Sequence, residues 1–168
     1  GYWWQLVVER DGVYSVHLKD SDGLTNQDAR QNRIVALKDR PPFVEFRVPG
    51  KDARCDRGER FKLAISAKDD YGLSQVSLVA RKGQDGAQKV IKTWRDFASP
   101  REVVLPFEWE ISRDFDCQVG DEIFYYAIAQ DNHAERSGTC EIPNPQETKT
   151  AEFKITIEDK QKLAEEKA

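Results

Sequence analysis

Apolar residues in this chain recur at every second position, in short runs, and almost nowhere at helical spacing. The cleanest row is Phe61, Leu63, Ile65 and Ala67, with Lys62 and Ser66 facing the other way. The longest is Val103, Leu105, Phe107, Trp109 and Ile111. Successive side chains point to opposite faces of a strand, so such rows require extended chain with one face buried. Further rows are Trp4, Leu6 and Val8; Tyr14, Val16 and Leu18; Val35 and Leu37; Val44, Phe46 and Val48; and Val76, Leu78 and Ala80. Val90 to Trp94 reads as a short edge strand, and the segments around Tyr125 and Phe153 complete the set. Short strands separated by turn signals, with no helical pattern between them, predict two packed antiparallel sheets.

Two stretches of the chain echo each other. Gly12 to Asp22 aligns with Ile123 to Asn132: a Tyr, apolar residues at even spacing, then an Asp opening a polar turn. Self-similarity of this kind signals stacked modules. Asp39-Arg40-Pro41-Pro42 interrupts the strand pattern, because proline cannot donate to a ladder and stiffens the chain. The expected organisation is the C-terminal part of one β-module at 1–39, a complete sandwich at 40–158, and a charged linker or helix start at 159–168. The chain then reads as a segment of a longer protein.

Composition narrows the function classes. Hydrophobic residues make up 39% and charged residues 33%, enough for a core under a well-solvated surface. The net charge of -4, with Lys and Arg scattered among acids, gives no nucleic-acid footprint. No apolar run has the length to cross a bilayer, so no membrane contact is expected of this segment. The only histidines, His17 and His133, have no metal-ligand spacing, and Ser137 and Cys140 near His133 read as loop neighbours. No glycine loop suited to phosphate is present. The residues predict a protein that is not an enzyme and holds no cofactor.

Pro42-Phe43-Val44-Glu45-Phe46, Lys68-Asp69-Asp70-Tyr71-Gly72-Leu73 after the Phe61 row, and Val119-Gly120-Asp121-Glu122-Ile123 leading to Ala127-Ile128-Ala129-Gln130-Asp131 together resemble bacterial immunoglobulin-like domains. Fibronectin type III-like and cadherin-like sandwiches share the pattern. The resemblance implies an all-β, immunoglobulin-like antiparallel β-sandwich, one complete module preceded by a partial one. It also implies a non-catalytic structural or interaction module of a larger envelope or cell-surface protein, periplasmic or extracellular and anchored to the membrane elsewhere. Its partners would be adjacent domains or another protein, with dimerisation through strands left exposed in the partial module. A carbohydrate- or calcium-dependent binding module is the alternative. Antibody-type domains carry a core cysteine pair where this chain has Ile65 and Ala127, so the core must hold by packing alone.

Four groups of residues are candidate sites. Asp20, Asp22, Asp39, Asp69, Asp70 and Asp131 gather carboxylate oxygens at turns, the hard ligands calcium takes; Asp is also favoured in turns because it bonds its own backbone. Phe124, Tyr126 and Ile128 make the sixth strand apolar on its second face, either as a contact surface or beneath a covering segment. Trp3 and Trp94 are candidate exposed stacking rings. In the sandwich topology Cys55 and Cys117 fall at one end and Cys140 at the other, so Cys55–Cys117 is the candidate disulfide, against three separate thiols.

Overall fold

The computed structural model describes residues 6, 8–137, 140–159 and 165. Trp3, Trp4 and nearly all of the charged tail after Asp159 lie outside the described residues. Contacts divide the chain into two compact units, Gly1–Lys38 and Asp39–Ala168.

The first unit holds one short ladder. β1 (Gly12–Tyr14) pairs antiparallel with β2 (Asn32–Ile34), Val13 opposite Arg33. The alternating rows expected to extend through Leu18 and across Val35 and Leu37 form no further strand, and a single antiparallel bridge joins Lys19 to Thr25. Turn bonds such as Asp20 N–H to the Leu24 carbonyl and Asn26 N–H to the Leu18 carbonyl hold this unit together with side-chain bonds. Asp11 Oδ1 accepts the Ala36 amide at 2.9 Å, and Asn26 exchanges bonds with the Leu18 amide and the Val16 carbonyl. Val13, Val16, Leu18, Leu24 and Leu37 are exposed. β1 and its sequence echo therefore differ in kind, since the later stretch is a ten-residue buried strand.

The second unit is built from two sheets. One has three strands in the order β3 (Phe43–Val48), β5 (Phe61–Lys68), β8 (Glu102–Trp109), antiparallel throughout. The other runs β4 (Ala53–Asp56), β13 (Phe153–Glu158), β9 (Glu122–Asp131), β6 (Leu73–Lys82), β7 (Lys89–Trp94). β4 pairs with β13 in parallel, an exception to the all-antiparallel expectation. The same side of β9 also pairs β12 (Glu147–Lys149), so the last strand of this sheet comes in two pieces. Thr150 bridges the break: its amide donates to the Ala127 carbonyl and its Oγ1 accepts the Ala127 amide.

Several elements, β4 and β12 among them, lie where the sequence pattern indicates none. β10 (Ala134–Ser137) and β11 (Cys140–Pro143) form a hairpin where a loop was expected. After β8 the chain makes a single turn, α1 (Ile111–Asp114), which ends the long apolar row at Trp109. The turn has a packing reason. Trp109, 1% exposed, donates its indole N–H to Asp114 Oδ2 at 2.9 Å, and Ile111 is buried beside it.

The inward rows make the core. Ile65, Ala67, Val76, Leu78, Ile123, Ala127 and Ile155 are fully buried, and each large side chain contributes roughly 1.5–3 kcal/mol by leaving water. Tyr125 on β9 joins the sheets: its ring meets Phe46 of β3 at 5.0 Å and Phe61 of β5 at 5.8 Å, both edge-on. Such contacts add to burial because ring edges and faces carry opposite charge. Ile65 and Ala127 face the core without thiols.

The strand directions fix the poles of this unit. Asp39, where it begins, lies against His133 just beyond the end of β9. β13 runs antiparallel to β9, with Thr156 opposite Glu122 at the start of β9, and the Glu158 carbonyl at its end accepts the Arg57 amide. Chain entry and chain exit are at opposite ends.

Candidate functional site

The entry pole gathers acids from three separate segments. β5 ends at Lys68, and Asp69 turns the chain: its Oδ2 accepts the amides of Tyr71 at 2.9 Å and Gly72 at 2.6 Å. Gly72 has φ +144°, and a Cβ there would stand 3.2 Å from Asn132 Nδ2 and 3.4 Å from Pro100 Cβ. The turn is thus pressed against the end of β9, and the Asn132 amide donates to the Gly72 carbonyl. Asp131, the last residue of β9, is fully buried; its Oδ1 accepts the His133 amide at 3.0 Å and the Gln146 amide at 2.7 Å. His133 Nδ1 in turn lies 2.6 Å from Asp39 Oδ2.

Carboxylate oxygens of Asp39, Asp69 and Asp70 come within 4.8 Å of one another. Asp69 keeps 8% of its surface and Asp70 is exposed, so the group is sunk on one side and open on the other. Asp39 Oδ1, Asp69 Oδ1 and Asp131 Oδ2 are buried without a hydrogen-bond partner. Among the described residues no lysine or arginine forms an ion pair with any of these four acids. Buried carboxylates are costly unless paired or bound to a cation.

Of the six sequence candidates for calcium, the structure brings Asp39, Asp69 and Asp70 together, while Asp131, two residues before His133, bonds the His133 amide. Asp20 and Asp22 belong to the first unit. Asp20 Oδ1 is occupied by the amides of Asp22 and Leu24, which is the ordinary turn role of aspartate. His133 was not singled out as a partner of the acids. It meets Asp39 across ninety-four positions, and no local spacing announces that contact.

The aromatic candidates among the described residues are covered. Phe124 and Tyr126 are each 8% exposed. The Arg81 guanidinium lies over the Phe124 ring at 4.7 Å and Lys149 Nζ over Tyr126 at 5.8 Å, while the Tyr126 hydroxyl donates to Gln88 at 2.9 Å. Long polar side chains close this face, and Ile128 beside them is half-buried. Trp94 is also no open platform: its ring meets Phe107 edge-on at 5.6 Å and joins the core.

At the exit pole Cys55 and Cys117, both buried and not joined in a disulfide, line one cavity of about 90 Å³. Cys55 Sγ lies 3.6 Å from the Asp56 carbonyl and 3.7 Å from that of Glu59. Burial pushes the Cys117 thiol above its ordinary value. Nearby, the Gln118 amide and then Lys82 hold Asp121 below the usual carboxylate range. Cys140 is exposed on β11.

No family model matches the chain, and no curated protein matches it in sequence. Among the described residues no helix is long and apolar enough to cross a membrane.

Proposed function

We propose that residues 39–159 are an immunoglobulin-like module acting as a non-catalytic structural segment that holds its neighbours apart in a larger envelope or cell-surface protein. The observation that carries this reading is the placement of chain entry and exit at opposite poles. A module entered and left at one end adds little to the reach of a chain, whereas one traversed from pole to pole adds its full length. β9 alone, with ten residues, extends about 33 Å at roughly 3.3 Å per residue. The strand order supports the immunoglobulin-like assignment. β3, β5 and β8 oppose β13, β9, β6 and β7, and β4 crosses from the first sheet to pair in parallel with β13.

The test is replacement within the full-length protein. An unrelated sandwich with the same entry-to-exit length is expected to preserve the parent's activity, and deletion of the module to impair it. Loss of activity with the length-matched replacement would overturn the structural reading in favour of a specific contact made by this surface. Fractionation of cells making the full-length protein tests the setting, with the periplasm or cell surface expected and the cytosol contradicting it.

A further inference from the structure

We propose that the entry pole of the second unit binds one calcium ion through Asp39, Asp69 and Asp70. The inference goes beyond the structural reading, which neither requires nor excludes a ligand. Its basis is a division of labour within each buried carboxylate. Asp69 gives Oδ2 to two backbone amides and leaves Oδ1 buried and bare; Asp39 gives Oδ2 to His133 and leaves Oδ1 bare. Asp131, two residues before His133, repeats the arrangement, with Oδ1 on two amides and Oδ2 without a partner. One oxygen of each fixes the side chain in place, and the other has lost water and gained nothing. An anionic oxygen in that position is stabilised most directly by a cation.

The spacing fits a single ion. Two oxygens on opposite sides of a calcium at about 2.4 Å each are about 4.8 Å apart, the widest separation one coordination sphere allows. One carboxylate oxygen from each of Asp39, Asp69 and Asp70 falls within 4.8 Å of the other two. The donors are all oxygen, which selects a hard cation over zinc or copper. They come from separate segments with one side open to solvent, which suits the variable coordination of calcium better than the strict octahedron of magnesium. With three carboxylates and the rest of the shell left to water, affinity is expected on the order of 10⁻⁴–10⁻³ M, the range of extracellular modules. Binding would tie Asp39, where the unit begins, to the turn after β5.

The experiment is calorimetric titration of the chelator-treated 168-residue chain with calcium chloride and, separately, magnesium chloride. One calcium per chain is expected, with magnesium at least tenfold weaker. D39N and D70N should each weaken calcium at least tenfold, while D85N, an exposed acid elsewhere, should not. Asp70 is exposed and takes no part in the turn's hydrogen bonds, so D70N decides the matter if D39N fails to fold; circular dichroism establishes that it is folded. Absence of saturable binding by about 10 mM calcium, equal affinity for magnesium, or calcium binding unchanged in D70N would each overturn the assignment. None of these results bears on the replacement test of the structural role.

Discussion

Replacing Tyr125 with Phe should stabilise the protein, although Tyr125 is among the most buried side chains in it. The ring is fully enclosed and meets Phe46 at 5.0 Å, Phe61 at 5.8 Å and Phe153 at 6.1 Å. The hydroxyl is buried without a partner, and burial, with Asp52 second, pushes its ionisation above the ordinary range. Tyr125→Phe keeps every ring contact and removes only the oxygen. A buried polar group left without a partner costs about 1–3 kcal/mol, so a gain of about 1 kcal/mol is the conservative expectation. Tyr125→Ala removes the ring as well and should cost about 3–5 kcal/mol, as large-to-small aromatic changes in cores do. Urea unfolding followed by tryptophan fluorescence measures both. With a slope of roughly 1–3 kcal/mol per molar, the Phe variant's midpoint should rise by about 0.3–1 M. A fall of that size would refute the reasoning, because it would mean that the hydroxyl is hydrogen-bonded within the fold.

Three further outcomes follow from the same structure. A thiol reagent should modify Cys140 in the native protein and reach Cys55 and Cys117 only on unfolding; rapid native labelling of all three would contradict their burial. Stability should fall as pH rises past the ordinary cysteine value near 9.0, because burial raises Cys117 and the unfolded thiol ionises first. C117A should flatten that decline, and unfolding midpoints across the alkaline range would check it. Gly72→Ala should destabilise by about 1–2 kcal/mol, since φ is +144° and the new Cβ would crowd Asn132 and Pro100. A neutral result would mean that the turn can move away from β9.

The sandwich rows were legible because burial on one face writes period two into the chain, as in Phe61 to Ala67 and Ile123 to Ala129. The Asp69 to Gly72 turn was legible for its own reason, an aspartate capping amides ahead of a glycine. β4 left no such mark. Ala53-Arg54-Cys55-Asp56 holds its place by parallel pairing with β13, one hundred residues later in the chain, and only Cys55 is buried. The β10–β11 hairpin is polar and exposed on β11, so nothing in it alternates visibly. The cover over Phe124 and Tyr126 was not legible because it comes from the stems and heads of Arg81 and Lys149 and from Gln88. A hydrophobicity pattern counts these residues as solvent-facing. At the acidic pole residue type was readable and assembly was not. Asp20 and Asp69 look alike in sequence, and only the fold brings Asp39 to one of them and leaves the other's carboxylate holding a local turn.

The central claim is that the chain crosses the second unit from pole to pole, and a distance tests it most directly. Spin labels at Arg40, beside the entry, and at Arg57, whose amide bonds the Glu158 carbonyl at the exit, both occupy exposed positions. Pulsed electron paramagnetic resonance on a C140S background should give one narrow distribution centred at roughly 30–40 Å, set by the length of a ten-residue strand. A distribution centred below about 20 Å, well short of that strand length, would place entry and exit at the same end and contradict the account.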